Sequence, residues 1–175
     1  CYNHFGEADV SFQWPETPSS QPEFPEGVTM MVYDDDSGQY TENFLKPTGG
    51  NVNFGSGSAS SILIYNNDTE CIRFFDLSSP TSAYATSVAA DRQVSESLRK
   101  LHPDEPALSP PDMLYAAYIE AIPDVGKHEK LELPIDIKQL VCTYEVFYEF
   151  EYGRNRVTLA RGALAGTAET VLLHN

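Results

Sequence analysis

Basic residues are scarce in this sequence. Eleven Lys and Arg stand against 26 Asp and Glu in 175 residues, leaving a formal net charge of −15. That balance excludes a nucleic-acid partner, because phosphate backbones are held by clustered cations and no cluster is present. It also excludes docking on anionic lipid through a polybasic patch. Cysteine is scarce too: Cys1, Cys71 and Cys142 are odd in number and far apart, so there is no disulfide framework and no Cys-x-x-Cys metal pair. Free thiols of this kind ordinarily serve as buried small hydrophobes. A Cys71–Cys142 bridge requires two strands to bring their Cα atoms within about 7 Å. No apolar run approaches the ~20 residues of a membrane-spanning helix; the most convincing is only Ile62-Leu63-Ile64-Tyr65.

Catalytic signatures are also missing. His4, His102, His128 and His174 show neither His-x-x-x-His nor Glu-x-x-His spacing. No phosphate loop, dinucleotide fingerprint or Gly-x-Ser-x-Gly elbow occurs. Gly55-Ser56-Gly57-Ser58 lacks the third Gly and reads as a flexible loop. A length of 175 residues suits one domain large enough to bury its core without a metal or disulfide. The first residue is Cys rather than Met, so the sequence reads as processed or trimmed at its start.

What is abundant is period-two alternation, which in a strand sends successive side chains to opposite faces. Ala8, Val10, Phe12 and Trp14 share one face before Pro15 ends the ladder, and the prolines through Pro25 mark an extended connection. Val28 to Tyr33 and Gln39 to Leu45 flank Asp34-Asp35-Asp36-Ser37-Gly38, a hairpin pattern, since Asp and Gly tolerate positive φ. A weaker strand lies around Val52 and Phe54. Ser61 to Tyr65 is apolar throughout, as a central strand buried on both faces would be. After the turn Asn66-Asn67-Asp68, strands are expected over Glu70 to Leu77 and Ala83 to Val88. Val94, Leu98 and Leu101 suit one face of a short helix, and Asp112 to Ile122 stays between strand and helix. Leu131, Leu133, Ile135 and Ile137 alternate with polar residues. Cys142, Tyr144, Val146, Tyr148, Phe150 and Tyr152 then line one face of a predicted core strand, with Glu145, Glu149 and Glu151 on the other. Val157 to Ala160 and Thr170 to Leu173 close the series. Eight or nine short strands with one-sided alternation predict an all-β sandwich of antiparallel sheets.

Candidate chemistry is thin. Asp34, Asp36 and Gly38 begin like a calcium loop, but the twelfth position, where a bidentate Glu belongs, is Leu45. An acidic hairpin turn is the better reading. Glu145, Glu149 and Glu151 resemble paired catalytic carboxylates less than they resemble a solvated strand face. Asn67-Asp68-Thr69 fits a glycosylation pattern that matters only in a eukaryotic secretory route. The tyrosines at 144, 148 and 152, with Phe150, suit a sugar-stacking platform or, more commonly, a sandwich core. On residues alone this is an acidic, non-enzymatic β-sandwich with no cofactor.

Several ordered segments resemble one family, the fimbrillin-like surface lipoproteins of Bacteroidetes. They are Cys1-Tyr2-Asn3-His4, Phe12-Gln13-Trp14, Met31-Val32-Tyr33, Tyr65-Asn66-Asn67-Asp68-Thr69-Glu70, Pro111-Asp112-Met113-Leu114-Tyr115, Leu140-Val141-Cys142-Thr143-Tyr144 and Arg161-Gly162-Ala163-Leu164-Ala165-Gly166. The resemblance implies a two-sheet, antiparallel, transthyretin-like Greek-key sandwich of about seven core strands. It implies that residues 1–175 form a single β-sandwich domain, the first of a two-domain lipoprotein. Display at the outer membrane would run through a lipid on Cys1 or on a cysteine just upstream, with no other membrane contact. The implied partners are other fimbrial subunits, joined by strand addition, or surface ligands. A carbohydrate-binding module of a secreted glycan-utilisation system is the alternative function expected of an acidic, aromatic-rich sandwich.

Overall fold

The computed structural model of the chain describes residues 6–16, 24–54, 60–100, 102–122, 130–158, 162 and 164–174. Cys1 and Gly55-Ser56-Gly57-Ser58 lie outside the described residues. Along the chain run β1 (Gly6–Gln13), β2 (Val28–Asp34), β3 (Tyr40–Leu45), β4 (Gly50–Phe54), β5 (Ser60–Asn66), β6 (Ile72–Phe75), β7 (Tyr84–Ser87), α1 (Arg92–Arg99), β8 (Tyr115–Ile119), β9 (Lys130–Asp136), β10 (Lys138–Gln139) and β11 (Thr170–Leu172). They form three sheets, ordered β4-β1-β9, β10-β8-β5-β2-β3 and β11-β7-β6.

The five-stranded sheet is the centre, and β5 is its spine. All seven of its residues are buried, because alternate side chains enter two different cores. Ile62 and Ile64 join Val28, Met30 and Val32 of β2 against Ala8, Val10 and Phe12 of β1, Val52 and Phe54 of β4, and Ile135 of β9. Leu63 and Tyr65 join Met31 and Tyr33 against Ile72, Ala85 and Leu173, which belong to the third sheet or border it. A continuous apolar run in Ser61 to Tyr65 therefore means burial on both faces, as its sequence predicts.

Two expectations need correction. The expected pair of sheets becomes three sheets in three layers, because β6, β7 and β11 cover the second face of the central sheet. The expected antiparallel pairing fails at one place: β1 and β9 pair in parallel, with Ala8 beside Leu131, Val10 beside Leu133 and Phe12 beside Ile135. Pro134 lies within β9 and is tolerated because β9 is an edge strand. The Lys130 ammonium pairs with the Asp9 carboxylate across the two strands.

The local signals are otherwise followed closely. β2 and β3 form the acidic hairpin, where Asp34 Oδ1 accepts from the Asp36 and Ser37 amides at 3.0 and 3.2 Å and Gly38 takes φ +67°. Those acids serve the turn, and Asp35 accepts from Ser61 Oγ at 3.3 Å. Gly49 (φ +105°) makes the β3–β4 turn and packs so close to the Val10 carbonyl that a Cβ would collide with it. Trp14 caps the first core, donating from Nε1 to the Pro47 carbonyl at 2.8 Å. Helix α1 starts where Asp91 accepts from the Val94 amide at 3.0 Å; it buries no residue.

Leu63 is fully buried in the second core. Leu63→Ala should lower stability by about 2–5 kcal/mol, read as a shifted denaturant midpoint at unchanged slope. Tyr33 is 4% exposed and donates its hydroxyl to the Leu77 carbonyl at 2.7 Å. Burial, then the neighbouring Tyr65, Tyr40 and Glu42, hold its phenol well above the ordinary value of about 10. The folded chain therefore keeps this proton where the unfolded chain gives it up. The resulting stability is present below pH ~10 and drains away above it. Alkaline unfolding followed through the phenolate absorbance should show this loss, and Tyr33→Phe should flatten it.

Candidate functional site

The sequence places its strongest ladder at residues 142–152, and the structure removes that ladder from the core. After β10, Leu140 donates its amide to the Leu114 carbonyl at 2.8 Å, and Leu140 and Val141 pack on the second core. Among the described residues beyond Val141, no strand returns until Thr170. Cys142 through Tyr152 are exposed, with Tyr144 at 66%, Phe147 at 83% and Tyr152 at 91%. Val157, also expected in a strand, is exposed and irregular; Leu159 and Ala160 lie outside the described residues. Glu145, Glu149 and Glu151 are exposed along the same segment.

The physical reason lies in the central sheet. Period-two patterning says that a segment wants one face covered, but it does not say by which layer. Both faces of the central sheet are already occupied by the β1 and β7 sheets. The aromatic segment is left as an extended, one-sided strand pattern with no sheet to join among the described residues. Clusters of exposed rings on this scale mark interaction surfaces. Further rings line the β3 edge of the central sheet, where Phe44 is 73% exposed. On that strand Asn43 Nδ2 is buried without a hydrogen-bond partner.

The root of the segment borders a cleft of about 360 Å³ that includes Asn66, Asp68, Asp112, Met113 and Thr143 in its lining. Sequence patterning reads Asn66 and Asp68 as turn formers and leaves Asp112 between strand and helix, yet these three tie three connections together. Asn66 donates to Asp68 Oδ1 at 2.8 Å and to the Met113 carbonyl at 3.0 Å, while its own oxygen accepts from the Tyr115 amide at 2.8 Å. Asp68 Oδ2 accepts from the Glu26 amide at 2.9 Å. Asp112 Oδ2 accepts from the Glu70 and Cys71 amides at 2.7 and 2.6 Å. These carboxylates hold backbone N–H groups and so act as a structural knot. Burial, and then the Asp68 charge, raise the Tyr115 phenol. Among the described residues no group of three His, Cys, Asp or Glu side chains is placed to hold a metal ion. No described helix is long and apolar enough to cross a membrane.

The described residues thus form a three-layer β domain with a run of exposed aromatic residues outside its two cores. The chain belongs to the family described as Domain of unknown function (DUF5119), which matches residues 1–175. Among solved structures it is similar to a candidate adhesin from Bacteroides ovatus, with a TM-score of 0.64 and 23% identity over 77% of this chain and 44% of that one. A likeness at that identity is one of fold. A second candidate adhesin from the same species matches with a TM-score of 0.41 and 10% identity, over 78% of this chain and 46% of that one. The chain thus spans less than half the length of either structure. No curated protein matches it.

If the aromatic segment is accessible, chymotrypsin should cut first between Tyr144 and Tyr152. The β-core should survive as a large fragment, identified by intact mass. First cuts inside β2 or β5 would contradict the placement.

Proposed function

We propose that this chain is a non-catalytic, surface-exposed domain of fimbrial or adhesin type, acting in assembly, anchoring or adhesion. In this reading it is the first β domain of a two-domain, lipid-anchored outer-membrane protein. The anchor is Cys1 or a cysteine just upstream, and Cys1 itself lies outside the described residues. The observation that carries the reading is the segment 142–152: it has the alternation of a strand, Tyr144, Tyr148 and Tyr152 among its exposed rings, and no strand beside it among the described residues. Such a segment supplies both halves of strand addition. Its backbone groups offer hydrogen bonds to a partner sheet, and its alternate rings fill pockets that set specificity. The β3 edge offers a complementary row of unpaired backbone groups.

The fold likeness to a candidate adhesin agrees with this reading. The sheet order, in which β8, β5, β2 and β3 are neighbours while β1, β4 and β9 lie in another layer, supports a Greek-key path of the transthyretin-like kind. One observation favours a second reading, glycan binding. Phe75 and Tyr84 stack at 5.3 Å and 18°, with Phe75 44% exposed, as a sugar-stacking pair would.

In native cells the protein should run in high-mass surface complexes after mild crosslinking. Replacing Tyr144, Tyr148 and Tyr152 together by Ser should reduce that fraction about tenfold and leave the thermal midpoint unchanged, since none of the three rings is in a core. A protein that runs only as a monomer would sink the assembly reading. A monomer that binds on a glycan array and loses that binding on Phe75→Ala would establish the second reading instead.

A further inference from the structure

The third sheet covers β8, β5 and β2, whose Ala116, Leu63, Tyr65, Met31 and Tyr33 are buried in the second core. It stops short of β3. There Tyr40 stands opposite Tyr33, Glu42 opposite Met31 and Phe44 opposite Thr29, and all three are exposed. Strand alternation puts them on one face, a carboxylate between two rings. The Tyr40 ring lies 5.8 Å from that of Tyr33. Burial and then the Glu42 charge push the Tyr65 phenol up. Glu42 also contributes to the rise at Tyr33, after burial and the neighbouring tyrosines. No cation among the described residues pairs with Glu42.

The backbone of the same three residues faces outward. In an antiparallel ladder, alternate residue pairs exchange hydrogen bonds and the pairs between them do not. The Asp34 amide bonds the Gln39 carbonyl at 2.8 Å. The bonded pairs that follow are therefore Val32 with Thr41, Met30 with Asn43 and Val28 with Leu45. Tyr40, Glu42 and Phe44 turn their N–H and C=O groups to the free side, where no strand of the described residues lies. An antiparallel strand added there sets its side chains directly across from theirs, on the same face. On the other face of β3, the Asn43 amide nitrogen is buried with no acceptor.

We propose that the β3 edge is a charge-selective acceptor for a strand of a different protein, one that sets Arg or Lys across Glu42 and apolar or aromatic residues across Tyr40 and Phe44. Any strand laid on this edge draws Glu42 away from water, and a carboxylate so covered requires a cation. The two flanking rings give a guanidinium or ammonium faces to rest on. A hydroxyl side chain across Asn43 supplies the acceptor that its amide lacks. The net charge of −15 draws such a strand in. The same rule turns away the segment 142–152 of a second copy. That segment contains no Lys or Arg, so every register sets an uncharged residue or a further Glu across Glu42. The inference rests on the strand-addition reading and deepens it by naming the chemistry of the partner.

The test uses the full chain and three short peptides blocked at both ends. Each runs threonine, tyrosine, serine, a central residue, serine, tyrosine, threonine, and the centre is arginine, glutamine or glutamate. Calorimetry measures binding, and amide hydrogen exchange read by NMR locates it. The arginine peptide should bind with a dissociation constant below about 1 mM. The glutamine peptide should bind about fivefold more weakly, and the glutamate peptide about tenfold more weakly or worse. The bound arginine peptide should slow exchange at the Tyr40, Glu42 and Phe44 amides about tenfold and leave Thr41 and Asn43, bonded to β2, unchanged. Glu42→Lys, an exposed change outside both cores, should invert the order so that the glutamate peptide binds best. No protection by any peptide would overturn strand addition at β3 and this inference together. Equal affinity for all three, with the edge amides protected, would sink the charge selection and leave strand addition standing. A peptide of residues 142–152 binding as tightly as the arginine peptide would refute the exclusion of a second copy.

Discussion

The whole arrangement depends on burying both faces of one sheet. β5 and β2 contribute side chains alternately to two cores, so neither strand has a solvent face to spare. Hydrophobic burial at about 25 cal/mol per Å² is the largest favourable contribution available to such a chain. Here it is drawn from a single central layer twice over. The outer sheets are short, three strands each, and every one of them reads as a cover for the centre.

That economy has a structural consequence for the rest of the chain. Once both faces are covered, any further amphipathic strand has to find a layer elsewhere. Residues 142–152 carry such a pattern without forming a strand, and they leave the β10–β8 ladder at Val141 with their rings exposed. Three glutamates, Glu145, Glu149 and Glu151, lie among its exposed rings. Its exposure follows from the occupancy of the central sheet and requires no special property of the rings.

The polar knot at the end of the first core has a related origin. Three connections meet where Asn66, Asp68 and Asp112 sit, and each brings backbone N–H groups that the sheets do not satisfy. Side-chain carboxylates and one buried amide accept them. The carboxylates are consumed in holding loops in register, which is why acidic residues beside a cleft here amount to architecture. Cys71, whose amide the same knot holds, stays a free thiol, as does the exposed Cys142.

Local pattern was enough to determine most of the strands. Alternation at Ala8, Val10 and Phe12 and at Leu131, Leu133 and Ile135, the acidic turn before Gly38, the unbroken run at Ile62 to Tyr65 and the short helix near Val94 and Leu98 all reflect forces acting within a few residues. Tertiary structure alone decided the number of layers, the parallel pairing of β1 with β9, the knot of Asn66, Asp68 and Asp112, and the exile of Tyr144 to Tyr152. A period of two reports that one face prefers to leave water. It carries no information on which distant segment will cover that face, because that choice depends on which surfaces the remainder of the chain has already filled.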